Sequence, residues 1–547
     1  MKKFLFVLLI TSWLFPYAQN NYEVTEMIAE KSKSKGSRFE GIDENGYIYT
    51  IAIKGYTSLL FGPSRKYLKV FNAQTGDMIS ETLISKAKAL KRMGLEYVSF
   101  TFIKERPTVV CKLKGKTRQE IFYGFEVDEN GSFIGGIFEL GEASDCKGFL
   151  NRGAETFSGV EVSESKDGRT TFISDMSCRK DDETSYKLVE LDKDLEVIAS
   201  LNFKLDIRGL KDIDFISLSD YIYFKGSKTT NEKVKGKLFR QSVKQDYLYK
   251  IDKKSGEVYE LALMEAIEPL KIGDYSISGT DGGVQLIGQV LTERGFTGIF
   301  SAILDLRTDE VKDIKTQDFS EEFVTKYWTE KKKRKNERKK RRRNDNNDEE
   351  EPTGFSTRFV LSESFATEDN GSLLVFQQYW IQVVTRTSTN SNGTTTTTTD
   401  YYYYYKDVIV VKTAVDGTIE YTELLPFFQV TMNFDPGKGY SALLDGNEIY
   451  FLHGTSNEMD EMINEGERKQ KKKRVKFKDR SIKYASVTHL DEQGTVETEQ
   501  VINMGEADVT VYNTTTAVDT KNKQFVIVSP FQKMFQRKKT KVVRIEL

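Results

Sequence analysis

Histidine is nearly absent from this chain of 547 residues: it occurs twice, against 81 Lys and Arg and 82 Asp and Glu. His453 and His489 fall near the ends of two β-rich runs, which antiparallel pairing would place at opposite faces. That disfavours a shared zinc ion and a His-activated nucleophile. Cys111, Cys146 and Cys178 are too few and too widely spaced for a disulfide framework. They read as small buried hydrophobes, with one bridge permitted by an oxidising compartment. No Gly-x-Ser-x-Gly elbow and no Gly-rich phosphate loop with Lys-Ser/Thr is present. We therefore assign no catalytic residue, no metal and no cofactor. Beyond the N-terminus no run reaches the roughly 18 apolar residues of a membrane span. The net charge of -1 argues against a globally basic surface, and no specific nucleic-acid motif occurs.

What is present begins with Lys2-Lys3, the apolar stretch 4–15, and Tyr17-Ala18-Gln19. These are the three regions of a secretory leader, with cleavage expected after Ala18. The sequence predicts an exported protein, periplasmic or extracellular in a bacterium, with a mature chain of 19–547.

Along that chain one pattern keeps returning: a β-rich run, an Asp/Asn/Gly turn, and a second β-rich run. Tyr247-Leu248-Tyr249-Lys250-Ile251, the turn 252–256, and Glu257-Val258-Tyr259-Glu260-Leu261 form one copy. Such runs read as antiparallel hairpins, and their recurrence reads as a repeat architecture. Grouped in fours they give eight units, with the inner strand of the last at 509–515. The eighth stops after three strands, while 22–28 is a strand-like orphan at the other end. The chain is thus read as all-β and similar in architecture to the β-propeller superfamily. The expectation is a single propeller of eight four-stranded blades, closed by its N- and C-terminal strands. Two stacked smaller β-domains are the alternative. The stretch Ser165-Lys166-Asp167-Gly168-Arg169-Thr170-Thr171-Phe172-Ile173-Ser174-Asp175 resembles the repeat of TolB-like and WD40-like secreted propellers, and brings no catalytic residue with it.

In a four-stranded meander the first and third turns share one face, and here they are short. The long inserts, at 226–246, 320–352, 385–400 and 455–480, fall on the other face, with a shorter one at 530–540. Variable loops are where repeat folds carry function. Three inserts are basic, through Lys331, Lys332, Lys333 and Arg334, through Lys471, Lys472, Lys473 and Arg474, and through Arg537-Lys538-Lys539 with Lys541. They read either as a rim for a polyanion or as solvated loops neutralised by neighbours such as the acidic run 345–351. Tyr401, Tyr403 and Tyr405 share one strand face. With Trp380 nearby on the partner strand they could form a stacking platform for sugar rings, or simply an extended hairpin.

The function expected is therefore binding of a protein or glycan partner through the insert-bearing face, without catalysis. The alternative is a polysaccharide hydrolase or lyase using acidic residues in a central channel. First strands such as Tyr97-Val98-Ser99-Phe100 and Tyr440-Ser441-Ala442-Leu443 are apolar and Ser-rich, which favours the binding protein.

Overall fold

Short alternating runs punctuated by Asp, Asn and Gly fold as expected. The computed structural model is all-β, with eight antiparallel sheets consistent with a β-propeller. It describes residues 23–547 except 30–34, 55–64, 104, 114–118, 145–159, 165–168, 176–183, 206–209, 233–240, 262–269, 281–282, 293–294, 329, 345–353, 356–357, 390–391, 393–394, 434–436, 467–482, 508, 510, 512–515 and 532–538. Sheets 1 to 7 each take four consecutive strands within 35–83, 95–144, 160–205, 210–261, 272–318, 359–425 and 440–503. Sheet 6 gains a fifth, Gln429–Met432. Sheet 8 contributes Thr516–Asp519, Gln524–Phe531 and Lys539–Glu546, and its fourth strand is Glu23–Ala29 from the far end of the chain. Glu23 pairs with Glu546 and Ala29 with Thr540. The first strand of the last sheet that is described is Thr516–Asp519, which pairs with Gln524–Phe531; most of the expected strand 509–515 lies outside the described residues.

Each junction between successive sheets is filled by its own apolar cluster. Tyr49, Leu68, Phe100 and Val109 pack between sheets 1 and 2. Phe376, Ile409 and Phe296 pack between sheets 5 and 6. Ile48, Phe71, Val526 and Val542 pack between sheets 1 and 8. The first strands of most neighbouring sheets also lie beside one another.

The short turns owe their tightness to side-chain caps. Asp43, Asp128, Asp192 and Asp491 each accept backbone N–H bonds from residues two and four positions on. Asp252, Asp305 and Asp416 cap their turns in the same manner. This is the Asx turn, in which the carboxylate replaces a backbone acceptor. Gly46, Gly131, Gly417 and Gly494 then supply positive φ.

The turns also touch across every junction. Ser80 Oγ donates to the Glu129 carbonyl, and Arg106 to the Lys193 carbonyl. Lys253 meets Glu190 at 2.7 Å, Lys250 meets Asp309 at 2.7 Å, and Lys315 meets Asp416 at 3.0 Å. The Asp369 N–H donates to Asn447. Lys523 meets Asp445 at 2.7 Å, and Lys521 donates to the Glu44 carbonyl, from sheet 8 to sheet 1. Glu190 is the most enclosed of these groups. It also takes bonds from Thr171, Ser217 and Arg169.

Two outcomes follow for stability. Glu190→Ala leaves Lys253 and Arg169 enclosed without their anion, and should cost about 3–5 kcal/mol in urea unfolding. Backbone N–H groups of Ser255 and Lys254 hold the Asp252 carboxyl below the usual range. The Thr418 N–H holds Asp416 at about 2. Lys312, then the Arg307 N–H, hold Asp305 at about 2. A folded pKa below the unfolded value of about 3.9 means stability that is complete above pH ~4 and lost as pH falls toward ~2. Tm measured from pH 5 to pH 2 should fall within that window and stay flat above it.

Candidate functional site

The charged stretch 320–352 is not a loop where it is described. Ser320 caps the helix Glu321–Thr325 by accepting from the Phe323 N–H. A second helix, Glu330–Asn344, follows, and eleven of its fifteen residues are Lys or Arg. Those are good helix formers, Glu330 sits in the first turn where an acid favours the helix, and no Gly or Pro interrupts the run. The 385–400 insert is the outer part of a long hairpin, Ser372–Thr389 with Thr395–Thr413. The 226–246 insert likewise extends Tyr221–Glu232 and Gln241–Asp252. The 455–480 insert contains the helix Asn457–Asn464. Its Lys471, Lys472, Lys473 and Arg474 lie outside the described residues.

Two of these inserts, 320–352 and 455–480, meet the root of the long hairpin at one cavity of about 220 Å3. Val324 comes from the first of these helices, Lys332 from the second, and Tyr327 and Trp328 from the connection between them. Met459 and Met462 come from Asn457–Asn464. Leu424 and the turn Pro426-Phe427-Phe428 line the floor, and Lys406 and Asp407 come from the root of the long hairpin.

The last two are there because of a β-bulge. Gln377 pairs with Val408 but Tyr379 pairs with Tyr405, so Lys406 and Asp407 together stand opposite Gln378. A bulge leaves residues outside the regular ladder and re-aims their side chains. Lys406 Nζ lies 4.8 Å from the Trp380 ring centroid and 5.7 Å from that of Phe428. Lys332 belongs to an exposed stretch of helix, yet its Nζ sits 3.7 Å from the Trp328 ring centroid. Desolvation there lowers its pKa; Asp407 opposes the shift and Lys406 adds to it. Behind the wall, Phe427 stacks on His453 at 3.9 Å. Burial pushes the His453 imidazole down to about 4, so it is neutral at pH 7. It bonds to Thr488 at 2.8 Å.

The bulge also rearranges the tyrosine platform. Unbroken pairing would set Trp380 opposite Tyr405, on the face shared by Tyr401 and Tyr403. The extra residue shifts the register by one, which exchanges faces. Trp380 therefore stacks on Tyr404, with centroids 4.8 Å apart and planes within 5°, and it is not part of the Tyr401, Tyr403 and Tyr405 row. Along that row Tyr405 is buried and packs on Tyr379, while Tyr401 is exposed beside Val383 and Tyr403 lies beside Ile381. On the other face the Tyr404 hydroxyl donates to Gln382, and Arg386 donates to Tyr402. Lys331 and Arg334 are exposed and Lys333 is half-buried, so among the described residues of the basic set only Lys332 lines the cavity.

His489 lies on the opposite face of its sheet from His453. It stacks on Tyr450 and bonds to Glu448 at 2.9 Å. Cys111 is a buried thiol, pushed up to about 12 by that burial, and is free. Cys146 and Cys178 lie outside the described residues. Among the described residues, no group of His, Cys, Asp and Glu is arranged to hold a metal ion, and no helix is long and apolar enough to cross a membrane.

No family model and no curated protein matches the sequence. Among solved structures, a Synechocystis apocarotenoid oxygenase mutant aligns at 12% identity with a TM-score of 0.33, covering 88% of this chain and 94% of that chain. The mannose phosphorylase MPT-4 from Leishmania mexicana aligns at 10% identity and 0.22, covering 64% and 87%. A Bombyx mori GH32 beta-fructofuranosidase mutant aligns at 9% and 0.23, covering 95% and 92%. Likenesses this distant carry no argument about the site.

The helix Glu330–Asn344 gives a direct test of polyanion affinity. Replacing Lys331, Lys333 and Arg334 with Gln should weaken heparin binding by roughly an order of magnitude at ~0.1 M salt, and flatten its salt dependence. Unchanged elution would show that the helix is only solvated surface.

Proposed function

We propose that this is an exported protein whose eight sheets are the blades of one closed β-propeller, and that it binds a protein or glycan partner through its insert-bearing face without catalysing a reaction. The observation that carries this reading is the convergence of the 320–352 insert, the 455–480 insert and the long hairpin's root on one aromatic, cationic cavity. Segments that a scaffold could dispense with are packed together to make a concave wall, and such walls are where ligands bind. The hydrogen bonds and apolar clusters at every junction, including sheet 8 to sheet 1, support the closed ring. The leader-like residues 1–18 support export. The likeness of 165–175 to TolB-like repeats accords with a secreted propeller.

One observation favours a polysaccharide hydrolase or lyase as the second reading. The first strands of sheets 2, 4, 5 and 6 are bulged. In sheet 6 the bulge adjoins Glu363, whose pKa is raised by burial against the pull of Lys438. Glu363 also forms an ion pair with Lys438, and a carboxyl whose pKa is raised by burial is the type of group a general acid uses.

A glycan array and a partner capture with the mature chain separate the two. Binding should be lost when residues 382–402 are replaced by a short turn. Release of reducing ends or unsaturated products from an acidic polysaccharide, abolished by Glu363→Gln, would instead establish the enzyme.

A further inference from the structure

The cavity's lining narrows what can enter it. Resting on the insert-face reading above, we propose that the part of the ligand seated there is a carboxylate borne on a single ring or a short aliphatic chain. Three properties of the cavity lead to this.

The first is size. A volume of about 220 Å3 falls below the roughly 300–1,000 Å3 of sites for drug-sized ligands, so it admits one ring or a short chain. The second is the wall. Trp328, Phe427, Phe428, Met459 and Met462 give an apolar body aromatic and thioether surface to pack on, and Met adapts to varied shapes.

The third is charge. Aromatic-lined pockets ordinarily suit cations, because ring faces are electron-rich. Here those faces are already taken. Lys332 covers Trp328, and Lys406 lies between Trp380 and Phe428. An entering cation would meet two ammonium groups against one carboxylate, Asp407. An entering anion meets the same two ammonium groups against one carboxylate, and the excess attracts it. The bulge that turns Lys406 and Asp407 out of the ladder sets this balance. A regular strand would alternate them to opposite faces.

The test uses the mature chain. Its tryptophans are Trp328 and Trp380 once the leader, which holds Trp13, is removed, so intrinsic fluorescence reports on this site. The probes are phenylacetate and hexanoate, with 2-phenylethanol as neutral and 2-phenylethylamine as cationic counterpart. With about ten non-hydrogen atoms, the acids should saturate with Kd on the order of 0.1–1 mM. The alcohol and the amine should bind at least about tenfold more weakly, the amine weakest. Lys406→Gln should weaken phenylacetate about tenfold and leave 2-phenylethanol within about twofold, and Lys406→Arg should retain binding. If circular dichroism shows Lys406→Gln misfolded, the probe series on the unaltered chain decides alone.

Equal binding of alcohol and acid, tighter binding of the amine, or no saturation by either acid overturns the proposal. A partner captured through the inserts without carboxylate binding sinks this inference and leaves the insert-face reading standing. Carboxylate binding, with capture indifferent to the inserts, does the reverse.

Discussion

The structure turns on a small electrostatic device, a carboxylate that accepts the N–H groups of its own turn. Asp43, Asp128, Asp192, Asp252, Asp305, Asp416 and Asp491 repeat it from sheet 1 to sheet 7. Each cap satisfies donors that would otherwise need water and fixes where a hairpin reverses. Fixed reversals keep one face short. They bring neighbouring turns close enough for Lys250, Lys253, Lys315 and Lys523 to reach acids on the adjacent sheet. The 320–352 and 455–480 inserts and the root of the long hairpin, three segments distant in sequence, share one cavity.

Much of the scaffold is legible in the sequence because its cues are local. Asp-x-x-Gly turns and alternating runs locate most second, third and fourth strands, whereas the first strands Lys35–Ile42, Val160–Glu164, Ile272–Thr280 and Phe359–Ala366 follow no such turn and are not picked out. The helix Glu330–Asn344 is legible too, though a run of Lys and Arg reads first as charge and only second as helix propensity. The site is less legible, for a definite reason. A bulge has no side-chain signature at residues 405–408, yet it inverts the face of every residue beyond it. Trp380 goes to Tyr404 in place of Tyr405, and Lys406 and Asp407, which the tyrosine run overshadows, become cavity residues. Strand Gln429–Met432 also escapes notice, because four residues after a Pro-Phe-Phe turn carry no repeat signal.

The cavity joins these two levels. Its aromatic wall rests on ordinary packing, Phe427 against a neutral, buried His453 and Met459 against the core. Its charge arrangement rests on one irregular register. A site assembled in this way can change its lining through the inserts while the capped turns and junction clusters stay as they are.

The pairing of Glu23–Ala29 with Lys539–Glu546 has a consequence for the order of events in a cell. Glu23–Ala29 pairs with a strand very far away in sequence, and contacts of such separation form slowly. Sheets 1 to 7 can assemble from neighbouring residues as they emerge. Sheet 8 waits for Lys539–Glu546, so Glu23–Ala29 has no strand to pair with until that segment has been made.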